Sequence, residues 1–413
     1  MTRRVVVIGA GAAGTMAAIF AAESGADTLL LERTRDGGRK ILISGGGRCN
    51  VLPAQLDETR FVTDSSPNTL RKIVRSWPLA EQIAFFEREL GIPLVEEVES
   101  AKLFPASHRA RDVRDGLLTH AERAGVVARM DTTVTGVAPH DAGWRVSLGD
   151  SAPLDVDAVV VAAGGLSVPT TGSDGLGLRE LARLGHTVHP VYAALTPITA
   201  AHSPFGELSG VSLRVKLSAR DDAAKRAATA TGGFLFTHHG YSGPSVLDVS
   251  HVVARSRPDS PASARLTVQW TELGAAEWEK ALRPQGNRTV TGALRASLPD
   301  RLAAVLLTLA NVDSTRSLAE LRRQERIRLV EILVSGELPW TGDEGYRKAE
   351  VTGGGVSLAE VHAQTMESRR HPGLHICGEV LDAFGPVGGF NFFWAWATGR
   401  AAGLGASAEK SGA

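Results

Sequence analysis

Arg4-Val-Val-Val-Ile8, followed by Gly9-Ala10-Gly11-Ala12-Ala13-Gly14 and, beyond the next strand, Glu32, is the stretch on which the fold turns. Arg4 to Ile8 is a continuous β-branched run, the pattern of a strand buried on both faces. Ala12 to Ser24 is small and helix-forming, and Gly25 stops it. Thr28 to Leu31 reads as a second buried strand, which Glu32 ends. This is a β-α-β unit with glycines at its first bend. Gly9 permits the tight turn, Gly11 lets the backbone approach a pyrophosphate, and Gly14 lets helix and strand pack closely. The helix start, with Ala12 and Ala13, offers N–H groups and a positive dipole end to phosphates. Glu32, about 20 residues on, is placed to accept from ribose hydroxyls, with Arg33 beside it. The motif predicts a bound dinucleotide and does not separate FAD from NAD.

Three further stretches converge on that cofactor. Asp36 to Asn50 reads as a glycine-rich loop. Gly45-Gly46-Gly47 is entropically costly unless something must come close. Arg39, Lys40 and Arg48 are placed to neutralise a pyrophosphate, which in FAD carries about two negative charges. Ser44, Gly45, Gly46, Cys49 and Asn50 join the expected contacts. A buried strand from Val156 to Ala162 then runs into Ala163-Gly164-Gly165, small enough to pass near a cofactor. Near the C-terminus, a strand at Leu374 to Cys377 leads into Gly378-Glu379-Val380-Leu381-Asp382. Gly388-Gly389-Phe390-Asn391 and a helical run from Phe392 to Gly399 follow. Glu379 or Asp382 suits ribityl hydroxyls. The glycine pair and helix start form a nest and dipole end suited to the negative charge of a reduced flavin near N1 and O2.

Between these ends the texture changes. Helices are expected at Leu70 to Trp77, Leu79 to Leu90 and Val113 to Ala124, and short strands at Val126 to Arg129, Thr132 to Val137 and Trp144 to Leu148. From about Val191, Val211 to Leu217 alternates apolar and polar residues, and Gly233 to Thr237 and Leu266 to Trp270 are strand-like. Leu302, Val305, Leu306 and Leu309 then fall at i, i+3, i+4, i+7. Ser317 and Glu320 form a capping box that opens a helix through Leu333. After Gly345 the buried-strand style returns. The expected organisation is a discontinuous domain from residues 1–190 and 346–413. It carries an insertion at 191–345, β-rich over 191–270 and helical over 271–345. Ala406 to Ala413 reads as a frayed end.

With 413 residues, 43% hydrophobic and 22% charged, the chain has the balance of a soluble protein of two or three domains. Lys+Arg and Asp+Glu both number 45, which argues against nucleic acid or an anionic membrane as the main partner and leaves a small molecule. Arg322, Arg323, Arg326 and Arg328 read as a solvated helix face interleaved with Glu325 and Glu331. Two cysteines make neither a disulfide framework nor a zinc site, so no metal is expected and the compartment is reducing. Thr2-Arg3-Arg4 and the apolar run to Ala22 mimic a signal peptide, but the glycines break it. No apolar stretch reaches about 18 residues, and the chain reads as cytoplasmic. Nothing marks an oligomeric state. For catalysis, His238, His239 and Tyr241 lie at one turn and suit general acid work. Cys49 lacks a C-x-x-C partner, so packing against the cofactor is favoured over a redox role. Cys377, Trp394 and Trp396 read as core.

These residues also carry a resemblance. Ser44-Gly-Gly-Gly-Arg-Cys-Asn50, Thr237-His-His-Gly-Tyr-Ser-Gly-Pro244, Ala349-Glu-Val-Thr-Gly-Gly-Gly-Val356, Thr365-Met-Glu-Ser368 and Gly388-Gly-Phe-Asn391 make the chain similar, over nearly its whole length, to one bacterial family. This is the aminoacetone-oxidase-like family of FAD-binding oxidoreductases, which includes bile-acid-type enone reductases. The resemblance implies an α/β fold, a discontinuous glutathione-reductase-type FAD-binding Rossmann domain with an inserted β-barrel-like plus helical domain. It also implies hydride passage between NAD(P)H, FAD and a small organic substrate, by enone or C=N reduction. A flavin amine oxidase using oxygen and an RNA-modifying flavoprotein are the alternatives. No second GxGxxG follows a strand, so NAD(P)H is expected to bind transiently. Val51-Leu52 stands where the family has Thr-Asn, and Phe392-Phe393 where it has Leu-Gln. Both departures lie near the expected flavin end and bear on substrate rather than cofactor.

Overall fold

β1 (Arg4–Ile8) is the middle strand of a five-stranded parallel sheet. Val5, Val6 and Val7 are at most 1% exposed, as a strand covered on both faces must be. α1 (Ala12–Glu23) follows, then β2 (Asp27–Leu31), which pairs with β1 on one side. The strand Ala158–Val161 pairs with β1 on the other. Val127–Arg129 extends the sheet past β2, and Leu374–Ile376 past Ala158–Val161. Ile8 registers with both Leu31 and Val161, and Val161 with Ile376, so four strands end level at one carboxyl edge.

The computed structural model describes residues 2–256 and 263–408. Contacts divide the chain into two units, Met1–Val191 with Val351–Ala413, and Tyr192–Glu350. In the first unit, the closing helix Phe390–Ser407 lies on α1. Its approach is set by glycine: a Cβ on Gly399 would stand 2.4 Å from the Ala13 carbonyl oxygen, and one on Gly403 2.3 Å from that of Ala17. The helix runs through Ser407 with Ala406 fully buried, so the end expected to fray is anchored there; 409–413 lies outside the described residues. α2 (Arg39–Ile43) and a 3-10 turn at Ser44–Gly47 replace the loop expected at Asp36 to Asn50. The three glycines there adopt φ of 55°, 68° and 86°, which explains their cost. The expected Leu79 to Leu90 helix is Leu79–Ala84 continued by a π-type turn, Phe85–Glu89.

The second unit has its own core and a seven-stranded sheet whose pairings are antiparallel. Ser212–Asp221 and Arg226–Phe236 form its long hairpin. The sequence predicts only the end of the second strand, because Ala227-Ala-Thr-Ala-Thr-Gly carries no large apolar residue. The helix Pro244–Ala254 interrupts the β-rich segment. Its valines look strand-like, but Val246, Val249, Val252 and Val253 recur at helical spacing and are buried. The Ser317/Glu320 box exists but caps only a 3-10 turn, Leu318–Glu320. The helix begins at Arg323, where Glu325 accepts from the Arg322 backbone N–H, and ends at Ser335.

Candidate functional site

At the carboxyl edge of the parallel sheet, the glycine turn is sterically forced. Gly9 has φ 101°, and a Cβ there would lie 2.6 Å from the Ala162 carbonyl oxygen. A Cβ on Gly14 would lie 1.8 Å from the Gly9 oxygen, while one on Gly11 would meet nothing within 4 Å. Two glycines therefore close the turn and the third faces open space. Gly11 and Ala12 are half-buried at the start of α1, and Ala13 is buried. Glu32 is tied into the same turn. Its Oε2 accepts from the Ala10 N–H at 2.9 Å, and its Oε1 from the Thr34 N–H at 2.9 Å and the Thr34 hydroxyl at 2.8 Å. The fit to an adenosine diphosphate moiety is good: open backbone at the helix start, with a fixed acceptor carboxylate beside it.

The basic residues are otherwise engaged. Arg33 pairs with Asp174 at 2.5 Å and Arg39 with Asp36 at 2.6 Å. Arg48 pairs with Glu97 at 2.9 Å and stacks 4.3 Å over Phe104. Lys40 places its ammonium 2.5 Å from Glu379 and 2.6 Å from the Ser167 hydroxyl. Each cation expected to neutralise a pyrophosphate thus already faces a carboxylate, and Lys40 serves to hold Glu379.

Glu379 is the hub of a buried network. The Ser167 hydroxyl, the Thr352 N–H and the Thr352 hydroxyl all donate to its Oε1. Burial opposes its charge, but Lys40 and these hydroxyls hold it below the usual carboxylate range. Thr352 also accepts from the Leu166 and Ser167 N–H groups. A Cβ on Gly165 would stand 2.3 Å from the Thr352 hydroxyl, and one on Gly164 2.8 Å from that of Ser173. Ala163 is half-buried. Gly378, at φ 80°, leaves no room for a Cβ against Ala13, which it would meet at 2.8 Å. Asp382 is 2% exposed and its Oδ2 accepts from the Ser65 hydroxyl at 2.7 Å, the Asp64 N–H at 3.0 Å and the Thr63 hydroxyl at 3.0 Å, with His189 3.7 Å away. Burial raises its pKa.

A second cluster joins Gly45–Asn50 to Gly388–Asn391. Ser44 donates to the Ile41 carbonyl. A Cβ on Gly45 would be 3.1 Å from the Asn50 nitrogen, and Gly46 faces open space. Asn50, oriented to satisfy both partners, accepts from the Gly389 N–H at 2.9 Å and donates to the Leu52 carbonyl at 3.3 Å. Gly389 has φ 89° and sits on the Leu52 carbonyl carbon, 2.3 Å from a built Cβ, while Gly388 lies over the Lys102 methylenes. Phe390 packs edge-on against Phe61, and Asn391 pins Gly385 by donating to its carbonyl and accepting from its N–H. Val51, Leu52 and Phe393 are fully buried, and Phe392 stacks on Trp396. The departures from the family pattern therefore fill core.

The structure places Cys49 and Tyr241 in core. Cys49 is fully buried, and burial pushes its thiol up to about 12, as expected of a packed rather than a reactive cysteine. Tyr241 is 1% exposed, is pushed up to about 12 by burial, and donates to the Pro339 carbonyl beside the Ser203 hydroxyl. It belongs to the core of the second unit. His238 and His239 are exposed at the adjoining turn. Sequence reading missed Ser167, Thr352, Thr34, Lys102 and the Thr63–Ser65 and His189 set around Asp382. Only Thr352 left a signal, inside Ala349 to Val356.

A parallel sheet whose glycine turn, uncapped helix start and fixed acid meet at one edge defines a dinucleotide-binding protein of the Rossmann class. The chain belongs to the HI0933-like family of FAD-dependent oxidoreductases, whose Rossmann domain it matches over residues 3–405. It is 32% identical over 421 residues to the ribosomal RNA dihydrouridine synthase of Escherichia coli (strain K12), covering 98% of each chain. It is 30% identical over 413 residues to the 3-dehydro-bile acid delta(4,6)-reductase of Clostridium scindens, covering 98% of this chain and 99% of that one. The ribosomal RNA dihydrouridine synthase of Haemophilus influenzae is 29% identical over 416 residues, with 98% of each covered. Two of these three names speak of RNA, against the expectation drawn from neutral charge. Among the described residues no helix is long and apolar enough to cross a membrane.

Proposed function

We propose that this FAD-dependent oxidoreductase saturates a carbon–carbon double bond conjugated to a carbonyl, with NAD(P)H as a transient hydride donor. The cradle at Gly9 to Gly14 with Glu32 supports the cofactor. The observation that carries the reaction is what its relatives' names share: dihydrouridine formation and delta(4,6) reduction both remove a double bond that a carbonyl renders electron-poor. When bound, FAD supplies the two-electron chemistry, taking hydride from reduced nicotinamide and giving it to such a carbon. Gly11 and the start of α1 would hold the pyrophosphate, and Glu32 the adenosine ribose. Glu379, kept ionised by Lys40, Ser167 and Thr352, and Asp382, steadied by Thr63 and Ser65, would orient the ribityl chain. The Gly388–Asn391 turn would border the flavin ring. The second carbon takes up a proton, which completes the two-electron reduction. The similarity to the Escherichia coli synthase over 98% of both chains favours a more specific second reading, in which the double bond is that of a uracil within RNA.

The test is anaerobic titration of the purified holoprotein with NADH, NADPH and simple amines. One nucleotide is expected to bleach the flavin. Reoxidation is then expected on adding unmodified ribosomal RNA or a steroid dienone. Bleaching by amines alone, with reoxidation only by oxygen, overturns the proposal.

A further inference from the structure

We infer that the outward face of the seven-stranded sheet in the second unit is a contact surface for the phosphate backbone of RNA, an inference that rests on the RNA reading above. The strand Ser212–Asp221 alternates strictly. Val215, Leu217 and Ala219 are buried in the core, while Arg214, Lys216 and Arg220 are exposed on the opposite face. The register places Arg265 directly across from Arg220, and Thr231 and Thr229 across from Lys216 and Ser218. The neighbouring strand adds Thr267 and Gln269 to the same face. Arg220 has Asp222 as an ion-pair partner. Among the described residues, Arg214, Lys216 and Arg265 have no carboxylate within ion-pairing distance. Glu337 stands at the edge of the face, opposite Thr267.

This pattern differs from the basic cluster on the helix Arg323–Ser335. There Arg326 is held by Glu279 at 2.9 Å and Arg328 donates to the Ala310 carbonyl. On the sheet, the three cations stand on a hydrogen-bonded strand ladder. Residues two apart on a strand project side chains about 7 Å apart, a repeat that suits successive phosphates of an extended strand. Hydroxyls at Ser218, Thr229, Thr231 and Thr267 fill the intervals and can donate to phosphate or ribose oxygens. Among the described residues the face carries no aromatic ring, so it offers no stacking platform for bases. It is built to hold the backbone without reading sequence.

The experiment uses the full-length holoprotein and a short fluorescein-labelled single-stranded RNA, with binding followed by anisotropy over a salt series. Arg214→Ala, Lys216→Ala and Arg265→Ala are combined in one variant. Each single-stranded phosphate contact contributes about 0.7 to the slope of log K against log salt, so the variant's slope is expected to be shallower by about 2. Its low-salt affinity should fall at least tenfold, and Arg214→Lys with Arg265→Lys should retain the slope. Unchanged FAD content and thermal midpoint verify the fold, since all three side chains are exposed. An unchanged slope, no RNA binding by the wild type, or loss of binding to phosphatidylserine vesicles in place of RNA overturns the inference. Reoxidation of the reduced flavin by RNA is measured separately. A wild type that binds RNA through these residues yet does not reduce it refutes the substrate reading and leaves the surface standing.

Discussion

Glu32→Gln separates two tasks that one carboxylate performs. Glu32 accepts three hydrogen bonds from the protein itself, one from Ala10 on Oε2 and two from Thr34 on Oε1. A glutamine keeps one oxygen. The better orientation leaves that oxygen on Thr34 and turns the amide NH2 toward the Ala10 N–H, where two donors then face each other. Hydrogen bonds to charged groups contribute roughly 1.5–3 kcal/mol and neutral ones roughly 0.5–1.5. One lost and two weakened bonds should therefore destabilise the FAD-free protein by about 2 kcal/mol or somewhat more. If the carboxylate also receives the adenosine ribose, FAD binding loses a further charged interaction of roughly 1.5–3 kcal/mol, which is about ten- to a hundredfold in Kd. Urea unfolding of the cofactor-free chain measures the first quantity, and fluorescence titration with FAD the second. A variant with the expected loss of stability and an unchanged FAD Kd would show that Glu32 serves only its own turn, and the cradle assignment would fall.

Two further outcomes test the first unit. Burial works against the charge of Glu360, yet bonds from Arg370, Thr187 and His186 hold its pKa at about 2 against an ordinary value of 4.5. A pKa lowered in the folded state stabilises above the unfolded value, so about 3 kcal/mol should be present at neutral pH and be lost as pH falls from about 4.5 toward 2. Glu360→Gln should lower neutral stability by much of that amount and flatten the acid limb of a stability–pH curve; an unaltered limb would remove Glu360 from the account. The buried thiols of Cys49 and Cys377, both raised by desolvation, should not react with Ellman's reagent in the native protein at neutral pH and should both react in denaturant. Rapid native labelling of Cys49 would make it a redox candidate.

The β1-α1-β2 unit was legible because its signals are local. Val5 to Val7 announce a doubly covered strand, and Gly9 and Gly14 mark contacts that any Cβ would violate. The helix Pro244–Ala254 was not, since valine spacing competes with valine propensity and burial decided between them. The site was legible by residue type rather than by partner. Lys40 reads as a cation near phosphates, but its partner Glu379 is 339 residues away in sequence, and no local pattern joins the two. Ser167 and Thr352 were missed for the same reason: their hydroxyls matter only because the fold carries them to Glu379.

Net charge speaks to a different scale. Equal numbers of acids and bases, 45 each, describe the far field of the chain, whereas a partner meets one face. Acids and bases are unevenly spent here. Arg39, Arg48 and Arg326 are matched by Asp36, Glu97 and Glu279, while the period of two along Ser212–Asp221 lifts Arg214 and Lys216 onto a surface where, among the described residues, no carboxylate pairs with them. At physiological ionic strength charges are screened beyond about 8 Å, so a bound phosphate senses those residues and not the sum. The alternation of that strand was visible in the sequence. Its register with Arg265, which sets on one face three cations that no carboxylate among the described residues pairs with, is not legible there.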